Sequence, residues 1–201
     1  MIKQYFKGMK RLKTLALLGM VLGLFWSCGG TQSAADIALK NQQFEELKEL
    51  IATKSYMIEV KTAHPMQTYD VTQITNALMR NTGNNAARID VTGNFIEVNG
   101  DSVKGGLSYY GEVRIANTLD PRDSGINFEG KTLSYEVFEN DKKQILSVEF
   151  DIKGNSMELF SLIMQLYPNK RVTIFINSPN RNSIRYDGRL NALDETETTI
   201  K

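Results

Sequence analysis

The sequence predicts a mainly β domain, an antiparallel meander closed as a barrel or folded as a sandwich, with a helix on its N-terminal side. Three observations carry that prediction. From Tyr56 onward, apolar residues recur with period two, as in strands buried on one face. The alternating runs are short. Between them stand Gly- and Asn-rich signals, whose residues accept the positive φ of tight hairpin turns.

The chain opens on a different pattern. Lys3, Lys7, Lys10, Arg11 and Lys13 form a basic stretch free of acidic residues, followed by the apolar run Thr14 to Trp26. That run holds 13 residues, whereas a membrane-spanning helix takes roughly 20. Residues 1–27 therefore read as an export signal rather than a permanent anchor. Ser27 supplies the small residue before Cys28, the only cysteine, and residues 28–35 form a small, polar tether. Cys28 is the expected lipid-attachment site, since a diacylated residue at that junction gives a stable anchor. The membrane is the partner this implies.

Five of the 24 basic residues and none of the 23 acidic ones precede Cys28, which leaves the later chain at −4. That charge argues against nucleic acid as a partner. With Cys28 lipidated, the domain over 36–190 has no disulfide and depends on one hydrophobic core.

Ser33 to Lys54 reads as the helix. Ile37, Phe44, Leu47 and Ile51 recur at near-helical spacing, Leu50 widens the stripe, and Ser33 with Asp36 can cap the start. Its polar face is not basic, which favours packing on its own domain over lying on a membrane. Strands are expected at Tyr56–Thr62, at Ile89 and Val91, at Ile96 and Val98, and at Val113 and Ile115. Further strands come at Leu133–Val137, Leu146–Ile152, Val172–Ile176, and Ile184 with Tyr186. Turns fall at Gly93-Asn94, Asn99-Gly100, Asn140 to Lys143, Gly154-Asn155 and Asn177 to Asn180. Asp70 to Asn81 has helical spacing, and Met157 to Tyr167 is read as a buried strand. Residues 191–201 are polar and are expected to be a disordered tail.

Little is arranged for catalysis. His64 is the only histidine and precedes Pro65, so it reads as an exposed turn residue rather than a base. Asp120, Asp123, Asp151 and Asp187 are carboxylates by position only, and Asp120 to Gly125 reads as a turn rather than a calcium loop. No metal or cofactor is expected. Gly105-Gly106 suggests a bulge or a close backbone approach. Of the adjacent Tyr109 and Tyr110, a strand would point only one inward. Tyr135, Phe150, Ile152, Phe175 and Tyr186 are the large residues expected to point into a barrel. If space remains there, Tyr109, Tyr110, Tyr135 and Tyr186 are the candidate ligand-binding residues. Gly188 is expected to serve closure of the sheet.

The segment VTGNFIEVNGDSVKGGLSYYGEV from Val91 to Val113, with DSGINF from Asp123 to Phe128, resembles an uncharacterised family of Bacteroides-type envelope lipoproteins, domain-of-unknown-function family 4251. VTIFINSPNRNSIRYDGRL, from Val172 to Leu190, is similar to that family's closing signature through Arg181, Ile184, Tyr186 and Gly188. The likeness covers roughly Lys40 to Leu190, and Ser108-Tyr109-Tyr110-Gly111 departs from the family's Pro-Tyr-Phe-Gly type of sequence. The resemblance implies one β-rich domain, a lipocalin-like barrel behind a lipobox, and brings no catalytic residue. It also implies an address, because the surface-exported lipoproteins of such bacteria usually carry an acidic cluster after the lipidated cysteine and Gly29 to Ala35 has none. The expected place is the outer membrane, facing the periplasm. The expected function is a non-catalytic envelope lipoprotein acting as an interaction or structural module. The alternative is a binder of a small apolar or amphipathic ligand, and a carboxylate-based hydrolase stands third.

Overall fold

A computed structural model of the protein describes residues 33–66, 68–80, 85, 87–115 and 125–193. Cys28, the export signal before it, Asp120, Asp123 and the tail from Asp194 lie outside the described residues. The chain divides into two units, Met1–Ile37 and Ala38–Lys201, and the second holds every described strand.

The first helix, α1, spans Ala34–Ala52. Its start is capped reciprocally: Ser33 Oγ accepts the Asp36 N–H at 3.1 Å, and the Asp36 carboxylate accepts the Ser33 N–H at 3.3 Å. Its end is set by Lys54, which adopts a left-handed φ of 51° and turns the chain into the sheet. Phe44, Leu47 and Ile51 form the stripe that is buried. A second helix, α2, spans Tyr69–Leu78, where helical spacing from Asp70 predicts one.

Among the described residues, nine strands form one sheet. They are β1 (Ser55–Pro65), β2 (Ile89–Asn99), β3 (Ser102–Leu107), β4 (Ile126–Lys131), β5 (Ser134–Asn140), β6 (Ile145–Lys153), β7 (Leu159–Leu166), β8 (Arg171–Ser178) and β9 (Arg181–Ala192). Their order is β4-β3-β2-β1-β9-β8-β7-β6-β5, and every ladder is antiparallel. The two edges, β4 and β5, are consecutive in the chain and separated only by Thr132 and Leu133. An even number of antiparallel steps lies between them, so both run in the same direction. The segment 126–140 thus takes one path, pairing first with β3 and then with β6.

The sheet curls into a half-barrel around a single apolar core. Phe128 of β4 meets Phe150 of β6 edge-on at 6.5 Å and Phe160 of β7 at 6.4 Å. A single bridge joins Phe128 to Gly154, and the Asn155 N–H donates to the Asn127 carbonyl at 3.0 Å. Tyr56, Tyr186, Phe128, Phe160 and Ile58 are among the side chains packed inside with under 2% of their surface exposed.

Several expectations are corrected. Gly93-Asn94 is not a hairpin turn: β2 is continuous, and Gly93 (φ 72°) lies opposite the irregularity between Val60 and Thr62 on β1. The turn proper is at Gly100 (φ 60°), the first residue of a two-residue loop between β2 and β3. Val113 and Ile115 form no strand; among the described residues one bridge, Val113 to Arg181, is made there. Phe175 faces outward and is 36% exposed, because β8 buries Val172, Ile174 and Ile176 instead. At Gly105 the reason for glycine is close approach rather than a bulge, since a Cβ would enter the Phe128 ring and the β2–β3 register is unbroken. Gly188 admits β1: a Cβ there would lie 2.6 Å from the Glu59 carbonyl oxygen.

Candidate functional site

The half-barrel has two ends that the ladders define. The helix end carries the Gly100 turn, Asn140, Lys170 and Ala192; the arginine end carries Pro65, Leu107, Gly154 and Arg181.

At the arginine end the chain leaves β3 at Leu107 and passes through Ser108 to Ile115. The Ser108 N–H donates to Asn94 Oδ1 at 2.6 Å, and the Tyr186 hydroxyl donates to the Ser108 carbonyl at 2.8 Å. The Tyr109 hydroxyl faces two carbonyls, those of Glu112 and Asn182, both at 2.9 Å. Asn182 completes the attachment, its N–H donating to the Glu112 carbonyl and its Oδ1 accepting from Arg114 Nη2 at 2.9 Å.

Beneath this segment lies an ion pair. Arg181 donates from Nε to Glu158 Oε1 at 2.9 Å and from Nη2 to Oε2 at 2.7 Å, in a two-point fork. Its Nη1 donates to the Gly125 carbonyl at 3.2 Å, and Glu158 also accepts from the Ser178 hydroxyl. The side chains of Arg181 and Glu158 are 7% and 1% exposed. The guanidinium stacks over Tyr109 at 4.9 Å and Phe160 at 5.6 Å. Burial pushes the Tyr109 hydroxyl up to about 12, while the charge of Arg181 pulls it back. Burial raises Tyr186 further. Carboxylate and guanidinium hold one another in a fixed geometry, an arrangement suited to fixing a loop.

A cleft of about 510 Å³ opens beside this network, lined by Thr92, Asn94, Gly106, Ser108, Tyr109 and Tyr110 among others. Asn94 Nδ2 is buried and makes no hydrogen bond among the described residues.

The helix end is closed differently. Phe44, Leu47 and Ile51 of α1 are buried there, and Gln144 Nε2 donates to Asn41 Oδ1 at 2.5 Å. Lys48 pairs with Glu139 and with Asp141, and Glu139 raises the Lys48 pKa. Lys54 lies over the Tyr135 ring at 4.8 Å, and the Tyr135 hydroxyl meets that of Tyr56 at 2.9 Å. Burial raises the pKa of both tyrosines. A second cleft, about 460 Å³, runs between α1 and the β7–β8 turn.

The tyrosines singled out in the sequence are therefore divided. Tyr109, Tyr110 and Tyr186 gather at the arginine end, and Tyr135 stands at the other. Cys28 lies outside the described residues. His64 is no turn residue: it sits on β1 and bonds the Ala87 carbonyl through Nδ1 at 3.0 Å and Asp187 through Nε2 at 2.9 Å. Asp187 also accepts from Thr173, and Asp151 accepts from Ser161 at 2.6 Å. Sequence reasoning missed Glu158, although one signal was available, an acid embedded in the apolar run Met157 to Phe160. Among the described residues, no group of three or more His, Cys, Asp and Glu could hold a metal ion, and no helix is long and apolar enough to cross a membrane.

Among curated proteins no relative matches the chain. Of solved structures, a protein from Bacteroides eggerthii DSM 20697, described as a DUF4251 family protein, is similar in fold. The two share 14% identity with a TM-score of 0.52, over 77% of this chain and 91% of that one. The model of the domain of unknown function DUF4251 matches residues 38–190, from within α1 to Leu190 of β9. On that match, covering most of its length, the chain belongs to the DUF4251 family.

Proposed function

We propose that the chain is a lipid-anchored envelope protein that acts through its outer surface, as an interaction or structural module, and catalyses no reaction. One observation carries the reading: the interior is occupied by the protein's own side chains, with Tyr56, Tyr186, Phe128 and Phe160 almost wholly buried inside it. A carrier keeps an interior space of roughly 300 Å³ or more for its ligand. The finer fold goes with this reading. Taking 126–140 as one strand that changes partners gives an eight-stranded up-and-down barrel of lipocalin type, with the Phe128–Gly154 bridge as its seam.

The address rests on the export signal and on Cys28, whose two acyl chains would hold the protein at the outer membrane, facing the periplasm. Cys28→Ala is expected to fold and to lose labelling by a clickable fatty acid; continued labelling would sink the lipoprotein reading. Removal of the protein from intact cells by added protease would place it on the outer surface instead.

A second reading, a binder of a small apolar or amphipathic ligand, has the cleft beside Tyr109 and Tyr110 in its favour. Native mass spectrometry of the full chain, purified from its own envelope, separates the two. A clean protein mass supports the surface module. A co-purifying mass that leaves on denaturation supports the carrier.

A further inference from the structure

The two edges of the sheet are not equivalent. β4 has a neighbour on its outer side, through the Phe128–Gly154 bridge and the Asn155 to Asn127 hydrogen bond. β5 has none: among the described residues, no backbone group of Ser134–Asn140 bonds to any element but β6. An open row of N–H and C=O groups is a template for one more strand. On β5 that row is flanked by apolar side chains left in water, with Leu133 61%, Val137 48% and Phe138 49% exposed.

The charges beside it select what could pair there. Glu136 stands directly opposite Glu149 across the β5–β6 ladder, and Asp151 lies on the same face, one pair away. Opposed like charges destabilise a strand pair. Glu136 and Glu149 have no ion-pair partner among the described residues, and the β7 residue paired with Glu149 is the apolar Ile163. A second copy is a poor occupant, since its β5 would bring another Glu136 to the same ladder. A cationic strand relieves the repulsion.

We infer that the free edge of β5 is a docking site for an extended segment of a protein partner, alternating basic and apolar residues. The segment adds to the sheet as a further strand. Its basic side chains lie on the outer face beside Glu136, with Glu149 one strand further in, and its apolar ones on the inner face beside Val137. This rests on the surface-module reading and names the partner's chemistry.

The test titrates the full chain with a fluorescein-labelled (Lys-Val)4 peptide, monitored by anisotropy. Saturable binding is expected, and it should be lost when the peptide amides are N-methylated. Glu136→Lys should weaken it at least about tenfold, roughly 1.4 kcal/mol, Glu149→Lys should weaken it less, and each should admit (Glu-Val)4 in its place. No saturable binding, equal binding of the N-methylated peptide, or indifference to both reversals overturns the inference. So does a dimer in sedimentation that Phe138→Asp dissolves, because a second copy would then hold the edge. Native mass spectrometry of the same preparation keeps the two failures apart: a bound small molecule sinks the surface-module reading, whereas the peptide titration alone decides the edge.

Discussion

The two ends of the half-barrel are closed by opposite chemistry. The helix end is covered by apolar surface, with Phe44, Leu47 and Ile51 of α1 buried over the core. Each such side chain contributes about 1.5–3 kcal/mol by leaving water. The arginine end is held by a buried ion pair and by hydrogen bonds that attach residues 108–115 to β9. Desolvation takes back most of what a buried pair gains, so its net worth for stability is small. What the pair does supply is position, because a fork of fixed geometry accepts one arrangement of Gly125, Glu158 and Tyr109 around it. The helix end makes the domain stable, and the arginine end decides the course of one surface segment.

Breaking the pair on one side should give the largest effect. Arg181→Met leaves Glu158 buried without a counter-charge and is expected to cost about 3–5 kcal/mol. The double variant Arg181→Met/Glu158→Leu should recover most of that in urea unfolding. If the double loses as much as the single, the pair is a true source of stability and the contrast between the ends fails. At the helix end Leu47→Ala should cost about 3 kcal/mol, through lost burial and the cavity left behind, again read from the urea midpoint. Tyr135→Phe should cost about 1–2 kcal/mol, because the buried Tyr56 hydroxyl loses its partner.

A further effect appears with pH, and Tyr109 carries part of the arginine end's share of it. Burial holds Tyr109 neutral up to about 12 in the folded chain, whereas a free phenol titrates near about 10. The folded state therefore keeps protons that the unfolded state gives up. Its advantage is complete below about pH 10 and is lost as pH rises through about 12. Urea midpoints should stay level to about pH 10 and then fall. Tyr109→Phe should make that fall shallower, and the part that remains belongs to Tyr186 and to the buried Tyr56 and Tyr135.

Strands with strict alternation were legible. Leu146 to Ile152 reads inward at every second residue and is so placed in β6, and Val172 to Ile176 likewise in β8. β3 and β4 were not legible. Ser102–Leu107 contains two glycines and a lysine, and Ile126–Lys131 offers only two inward apolar residues, so neither shows enough side chain to reveal its period. Both are strands because their neighbours pair with them. Gly93-Asn94 has the composition of a turn, yet positive φ serves a kink inside a strand equally well. The same local chemistry fits both, and only the partner strand distinguishes them.

At the arginine end, single residues were visible and their meeting was not. Tyr109 and Tyr186 stand out by type, but they lie 77 positions apart and no spacing rule links them. Arg181 comes just after a turn signal and Glu158 interrupts an apolar run, each with an ordinary local explanation.

By itself, then, the sequence determined the β character of the domain, the capped helix before it and most of the turns. These arise from local dihedral preferences and from the period at which apolar side chains repeat. The tertiary structure alone decided that β4 and β5 become the two edges, that Glu158 finds Arg181, and that Glu136 stands opposite Glu149. Those outcomes depend on which strand lies beside which, a long-range matter of packing and register that no local pattern encodes.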